Sequence, residues 1–246
     1  MTSVSFATFC YSGDAEMLHQ PGQLEFQINS NDYPFDDIVI VYQNCNPDDY
    51  IVDYSKKIKK VTITDKEFDP LLEAFGIDTN RQQYISDTDK LHTWKNHVVN
   101  HLRASAVVAG DYIVFADADC WIKEQRASWV KKGIDILENN SSIFIVSPND
   151  GEAERTTRTM SQQMFLVRKT DWLSADFNQP GWHGDVRKHP EMPEYHGMIE
   201  GRIHHYCKHI NKWRYVLGPD YRYWHSNKIC TDDTGQKYFE KDYSKW

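Results

Sequence analysis

Across 246 residues the chain has no apolar run close to the roughly 20 residues that a membrane-spanning helix requires. It is therefore expected to carry no transmembrane segment. Its opening, Met1-Thr2-Ser3-Val4-Ser5-Phe6, enters a strand pattern with no basic stretch ahead of it, which predicts no secretory leader. Cysteine is sparse: five residues, at 10, 45, 120, 207 and 230, odd in number and without a CxxC pair. That spacing speaks against a zinc ribbon and predicts reduced thiols, hence a cytoplasmic protein. Positive charge is in deficit, 28 Lys and Arg against 36 Asp and Glu, for a net charge of −8. A nucleic-acid backbone is an unsuitable partner for such a surface. No repeat, low-complexity linker or compositional boundary is visible, so one domain is expected over 1–246.

What is present is an alternation of strand and helix patterns. Val4 to Phe9, Asp37 to Tyr42 and Val61 to Thr64 read as strands, with a helix broken near Pro21-Gly22 between the first two. Leu91, Trp94, Val98, Leu102 and Ala106 fall at helical spacing in residues 88–109, and Gly110 follows as a stop. Asp111 to Ala116 reads as a central strand, 124–139 as a helix, and Ile143 to Val146 and Gln163 to Arg168 as strands. Residues 147–161 and 178–193 read as loops, about 194–210 as a helix, and Tyr215 to Leu217 as a last strand. Such alternation predicts an α/β domain, Rossmann-like, with a mostly parallel central sheet and helices on both faces. The many aromatics, eight Trp and fourteen Tyr among them, are accounted for mostly by core packing.

The central strand ends in Asp117-Ala118-Asp119. Residues two apart in a strand point the same way, so the two carboxylates can converge. Converging carboxylates repel unless a cation neutralises them, and a hard divalent ion that also grips phosphate oxygens meets that need. Asp is also common in ordinary polar turns, and these residues alone leave the two readings balanced. In open α/β sheets ligands lie beyond the carboxyl ends of the strands. Thr8, Phe9, Tyr11, Gln43 and Asn44 stand at such ends, which would set them around a nucleotide base, although taken alone these turns read as ordinary loop chemistry.

The segment Ala109-Gly110-Asp111-Tyr112-Ile113-Val114-Phe115-Ala116-Asp117-Ala118-Asp119 resembles the metal-binding segment of glycosyltransferases with the GT-A fold, most closely the inverting enzymes of family two. The resemblance extends over roughly the first 225 residues, with Asp-x-Asp as its specific motif. It implies a nucleotide-sugar-binding half at 1–120, an acceptor half at 121–225 and a tail at 226–246. It implies a divalent metal, Mn²⁺ or Mg²⁺, on Asp117 and Asp119, bridging the diphosphate of a nucleotide sugar, with Asp117 also reaching the ribose. The late run Tyr221-Arg222-Tyr223-Trp224-His225 is similar to a strand ending in a metal-binding His, which implies His225 as a further ligand. His196-Gly197-Met198-Ile199-Glu200-Gly201-Arg202-Ile203 is similar to the Glu-Asp-x-x-Leu helix start and implies Glu200 as the base; Asp185, Glu191 and Glu194 are rivals. Two departures stand out. Tyr42, Gln43 and Asn44 replace the acidic residues that usually meet the base, and the usual Arg-Asn of the preceding helix is out of register, with Arg103 and His101 nearby as substitutes, Arg103 as a donor-binding candidate.

The expected activity is metal-dependent transfer of a sugar from a nucleoside-diphosphate donor, a UDP-sugar first, to a hydroxyl of a carbohydrate or glycan acceptor, with inversion. Trp172, Trp182 or Trp224 could stack on the acceptor. A retaining transferase and a sugar nucleotidyltransferase are the enzymatic alternatives, although Ser12-Gly13-Asp14 matches a phosphate-binding loop poorly. A degenerate, carbohydrate-binding domain of the same fold is the non-enzymatic one. His205 and His209 have the i, i+4 spacing of a helical metal pair but lack the Glu that H-E-x-x-H requires.

Overall fold

β-branched and aromatic residues build the first strand, β1 (Val4–Tyr11), and every residue up to Cys10 is buried. The computed structural model describes residues 2–11, 15–19, 21–49, 57–77, 88–149, 153–158, 160–161, 163–177, 199–225, 227–231 and 237–241. After β1 come two short helices, α1 (Ala15–Leu18) and α2 (Gln23–Asn29), separated where Gly22 takes a left-handed φ of 80°. Then follow β2 (Asp37–Gln43), β3 (Ile58–Ile63), α3 (Asp65–Ala74) and the long α4 (Thr88–Val107). The central strand β4 (Tyr112–Asp117) is followed almost at once by β5 (Cys120–Gln125) and then α5 (Trp129–Asn139). The remaining elements are β6 (Ile143–Ser147), β7 (Arg155–Thr157), β8 (Met164–Arg168), α6 (Lys169–Leu173), α7 (Ile199–His209), β9 (Trp213–Val216), β10 (Tyr221–His225), β11 (Asn227–Thr231) and β12 (Lys237–Lys241).

Eight strands form one sheet in the order β3-β2-β1-β4-β8-β6-β9-β7. Pairing is parallel from β3 through β4 and between β6 and β9; β8 opposes β4 and β6, and β7 opposes β9. Six strands thus share a direction and two oppose it, the mostly parallel sheet that the alternation predicts. Side chains leave a strand on alternate faces, and the core divides accordingly. Val4, Phe6 and Cys10 of β1 pack with α1, α2 and α5, whereas Ala7 and Phe9 pack with α3, α4 and α7. Helices therefore cover both faces. No helix among the described residues is long and apolar enough to cross a membrane.

Several expected boundaries shift. The helix expected over 124–139 begins only at Trp129, because Cys120–Gln125 pairs instead with β10, and Ser128 Oγ caps the shorter helix by accepting from Lys131 N (3.5 Å). α3 and β7 were not foreseen, and the tail contains the β11–β12 hairpin. On α4, Val98 and Leu102 are buried as expected, but Ala106 is exposed and Ala104 takes the inward place. Gly110 is not a left-handed helix stop. A Cβ there would meet Ser5 N at 2.6 Å and the Val4 carbonyl carbon at 2.9 Å, so glycine lets β1 pass close to the start of β4.

Candidate active site

The Asp117–Asp119 turn joins β4 of the large sheet to β5 of a separate two-stranded ribbon. Asp117 ends β4, where its neighbour across β1 is Phe9. In the ribbon, Cys120 stands directly opposite His225. A residue 105 positions downstream is thereby laid beside the turn. His225 Nε2 lies 3.3 Å from Asp119 Oδ1, and the Cys120 thiol lies 4.0 Å from the same oxygen. One ligand atom from each of Asp117, Asp119, Cys120 and His225 falls within 4.8 Å of the others. Among the described residues this is the one such group of potential metal ligands. Gln163 ties the two sheets together: its carbonyl accepts from Asp117 N (2.8 Å), and its Oε1 accepts from the Tyr223 hydroxyl (2.5 Å).

The electrostatics match that grouping. Burial, then the charges of Asp119 and Glu200, hold the Asp117 carboxyl well above the usual carboxylate range. Burial, then Asp119 and Asp117, push the Cys120 thiol up in the same sense. The Tyr11 hydroxyl is raised by burial and by Asp117 and Asp119, against a hydrogen bond with Asn100 that lowers it. Asp117, Asp119 and Glu200 bring carboxyl groups together here, with the His225 imidazole beside Asp119. Two carboxylates and an imidazole are a chemically suitable donor set for a divalent ion, and the thiol adds a softer ligand.

The structure gathers only part of the expected nucleotide set. Tyr11 and Gln43 share Asn100, whose amide donates to Gln43 Oε1 at 2.6 Å. Asn44, with φ 54°, is tied to Asp65, to which it donates at 2.7 Å, at the start of α3. Thr8 is buried in β1. Phe9 is wholly enclosed, 4.5 Å from His101 and 6.2 Å from Phe115 between ring centroids, and presents no surface to a ligand. Arg103 donates to Thr62 O at 3.2 Å and lines a groove with Lys66, Glu67 and Leu71 of α3, away from the carboxylates.

Glu200 lies in the first turn of α7, close enough for its charge to bear on Asp117. Asp185, Glu191, Glu194 and Trp182 lie outside the described residues. Trp172 has no exposed surface and packs among Phe115, Phe165 and Phe177, so it cannot stack on an acceptor. Trp224 points from β10 to the face opposite His225, where it meets Trp121 and lies under the Lys123 ammonium at 5.1 Å. His204 hydrogen-bonds the Arg158 carbonyl and joins no metal-ligand group. The sequence reading missed Cys120 and Asn100. Cys120 adjoins the motif and could have been noticed there; nothing local marks Asn100.

The path of the chain is similar to that of the apo form of mouse xyloside xylosyltransferase 1, with a TM-score of 0.51 over 87% of this chain and 85% of that one, at 11% identity. The chain shares the fold of a glycosyltransferase. Staphylococcus aureus TarS 1–349 is a weaker match, with a TM-score of 0.43 over 91% of this chain and 60% of that one, at 14% identity. No protein-family model matches the sequence, and no curated protein sequence does either.

Proposed function

We propose that the chain is a metal-dependent glycosyltransferase that moves a sugar from a nucleoside-diphosphate donor, UDP-linked first, to a hydroxyl of a carbohydrate acceptor with inversion. The convergence of Asp117, Asp119 and His225 at the carboxyl end of the central strand, on this fold, carries the reading. Asp119 and His225 would hold the divalent ion, with Asp117 beside them and the Cys120 thiol in reach. When bound, the ion supplies Lewis-acid neutralisation of the charge that develops on the departing diphosphate. The chain's own residues do the rest. Tyr11, partly exposed at the end of β1 and backed by the buried Asn100 and Gln43, can meet the nucleoside. Glu200 accepts the proton of the acceptor hydroxyl as its oxygen attacks the anomeric carbon. The bond from that carbon to the diphosphate oxygen breaks on the opposite side, and its electrons leave with the nucleoside diphosphate. Cys10, Cys45, Cys120 and Cys207, free thiols among the described residues, support a cytoplasmic location for this activity.

The test is a screen of nucleotide sugars for release of nucleoside diphosphate, with and without Mn²⁺. Wild-type turnover should vanish in excess EDTA, and Asp119→Ala should lose about 10²-fold or more while circular dichroism shows an intact fold. Undiminished activity in EDTA or in Asp119→Ala would end the metal reading.

A further inference from the structure

The carboxylate turn is gripped from below by a residue about 90 positions earlier in the chain. Gln27 of α2 is fully buried, and its side-chain amide nitrogen donates to three main-chain carbonyls: Asp117 O at 2.7 Å, Ala118 O at 3.2 Å and Cys120 O at 2.9 Å. An amide carries two N–H groups, so at least one of them is shared between carbonyls. Each peptide is planar, so fixing a carbonyl fixes the plane that joins two successive Cα atoms. Fixing the planes after Asp117, Ala118 and Cys120 leaves little freedom at Ala118 or on either side of Asp119. The directions in which the two carboxylates project are set by this grip.

The clamp is itself anchored. Asn31 donates from Nδ2 to Gln27 O (2.9 Å) and accepts from Trp129 Nε1 (2.8 Å) at the start of α5. Ser30 Oγ donates to Gln27 O (2.8 Å) and accepts from Ile122 N (3.1 Å), and Gln125 Nε2 donates to Ser30 O (2.6 Å). The end of α2 is thus stitched to β5 and α5, the elements that follow the turn. Packing alone does not account for a glutamine here. Its Oε1 is buried without a partner among the described residues, which is unfavourable and which an apolar side chain would avoid. The donor half of the amide is what the position requires.

We infer that Gln27 is the positioning residue of the Asp117–Cys120 turn: it holds the backbone so that Asp117 and Asp119 converge on the ion and the donor diphosphate. The inference rests on the proposed role of those carboxylates. Gln27→Met removes the donor at nearly constant length. The folded variant should bind Mn²⁺ about 10- to 100-fold more weakly in calorimetry and lose turnover by a similar factor, as supporting residues around metal ligands generally do. Leu24→Ala is the control. It opens space on the same helix, where Leu24 is buried, but leaves the amide in place. It should lower Tm without changing Mn²⁺ affinity. Wild-type affinity and turnover in Gln27→Met would overturn the inference, as would an equal loss of affinity in Leu24→Ala. If Gln27→Met does not fold, Gln27→Asn keeps an amide in the pocket but withdraws it by one methylene, and the same outcomes apply. If wild-type turnover survives EDTA, the metal reading fails by itself. The Gln27 inference is then decided on kcat, where an unchanged value in the folded variant overturns it.

Discussion

Glu200 lies in the first turn of α7, and its charge adds to the burial and the Asp119 charge that push the Asp117 carboxyl above the usual carboxylate range. As the proposed general base it would act mainly in the transition state, so Glu200→Gln should lower kcat by about 10²–10⁴-fold with little change in donor KM. Folding and nucleotide affinity should survive, since the amide keeps the size of the carboxylate. Steady-state kinetics at saturating Mn²⁺ check this, with Asp185→Asn and Glu194→Gln as parallel variants. Loss of turnover in one of those, with Glu200→Gln fully active, would move the base to that residue.

The elements around the site show how strongly two backbones must approach each other for the carboxylates to be placed. β4 runs beside β1, and Gly110, just ahead of β4, donates its N–H to Ser5 Oγ at 2.8 Å. In Gly110→Ala the added methyl would meet main-chain atoms of Val4 and Ser5, which cannot swing away as a flexible side chain can. The expected cost is about 1–3 kcal/mol of stability, measured by urea unfolding. A neutral or stabilising result would show that β1 can retreat. This close approach was invisible in the sequence, where Gly110 reads as a helix terminator. The strands β1, β2 and β4 were legible because both faces are buried and their runs are continuously apolar. β5 was not, because its partner β10 lies about 100 residues away and its own residues Lys123 and Glu124 break the apolar pattern. The site divides in the same way. Asp117 and Asp119 announce themselves by spacing. Gln27 and Asn100 act across folds of the chain and carry no local mark, and the aromatic residues Phe9 and Trp172 proved to be core because strand and helix faces, not residue type, decide exposure.

At the scale of the whole molecule, the end of the sheet opposite the carboxylates is closed by another acid. Asp37, at the start of β2, accepts from Lys59 Nζ of β3 (2.9 Å), from Ala109 N beyond α4 (2.8 Å) and from Ser5 Oγ of β1 (3.1 Å). One carboxylate thus joins three strands and the end of the long helix. Burial by itself raises its carboxyl, but hydrogen bonds from Lys59, Ala109 and Ser5 and the Lys59 charge outweigh that and bring it below the usual value of 3.8. The sign of the pH effect follows from that depression. Below 3.8 the unfolded chain takes up a proton at this position more readily than the folded one, so acid draws the equilibrium toward the unfolded state. The stabilisation by Asp37 is fully present above the unfolded value and is lost as pH falls through the lower folded one. Asp37→Asn keeps the shape but not the charge. It should lower Tm at neutral pH, where the ion pair is lost, and should flatten the fall in Tm that wild type shows on acidification below about pH 4. Thermal melts of both proteins between pH 7 and pH 3 provide the measurement. Parallel curves, offset by a constant amount across the whole range, would show that Asp37 holds the sheet by shape and hydrogen bonding alone.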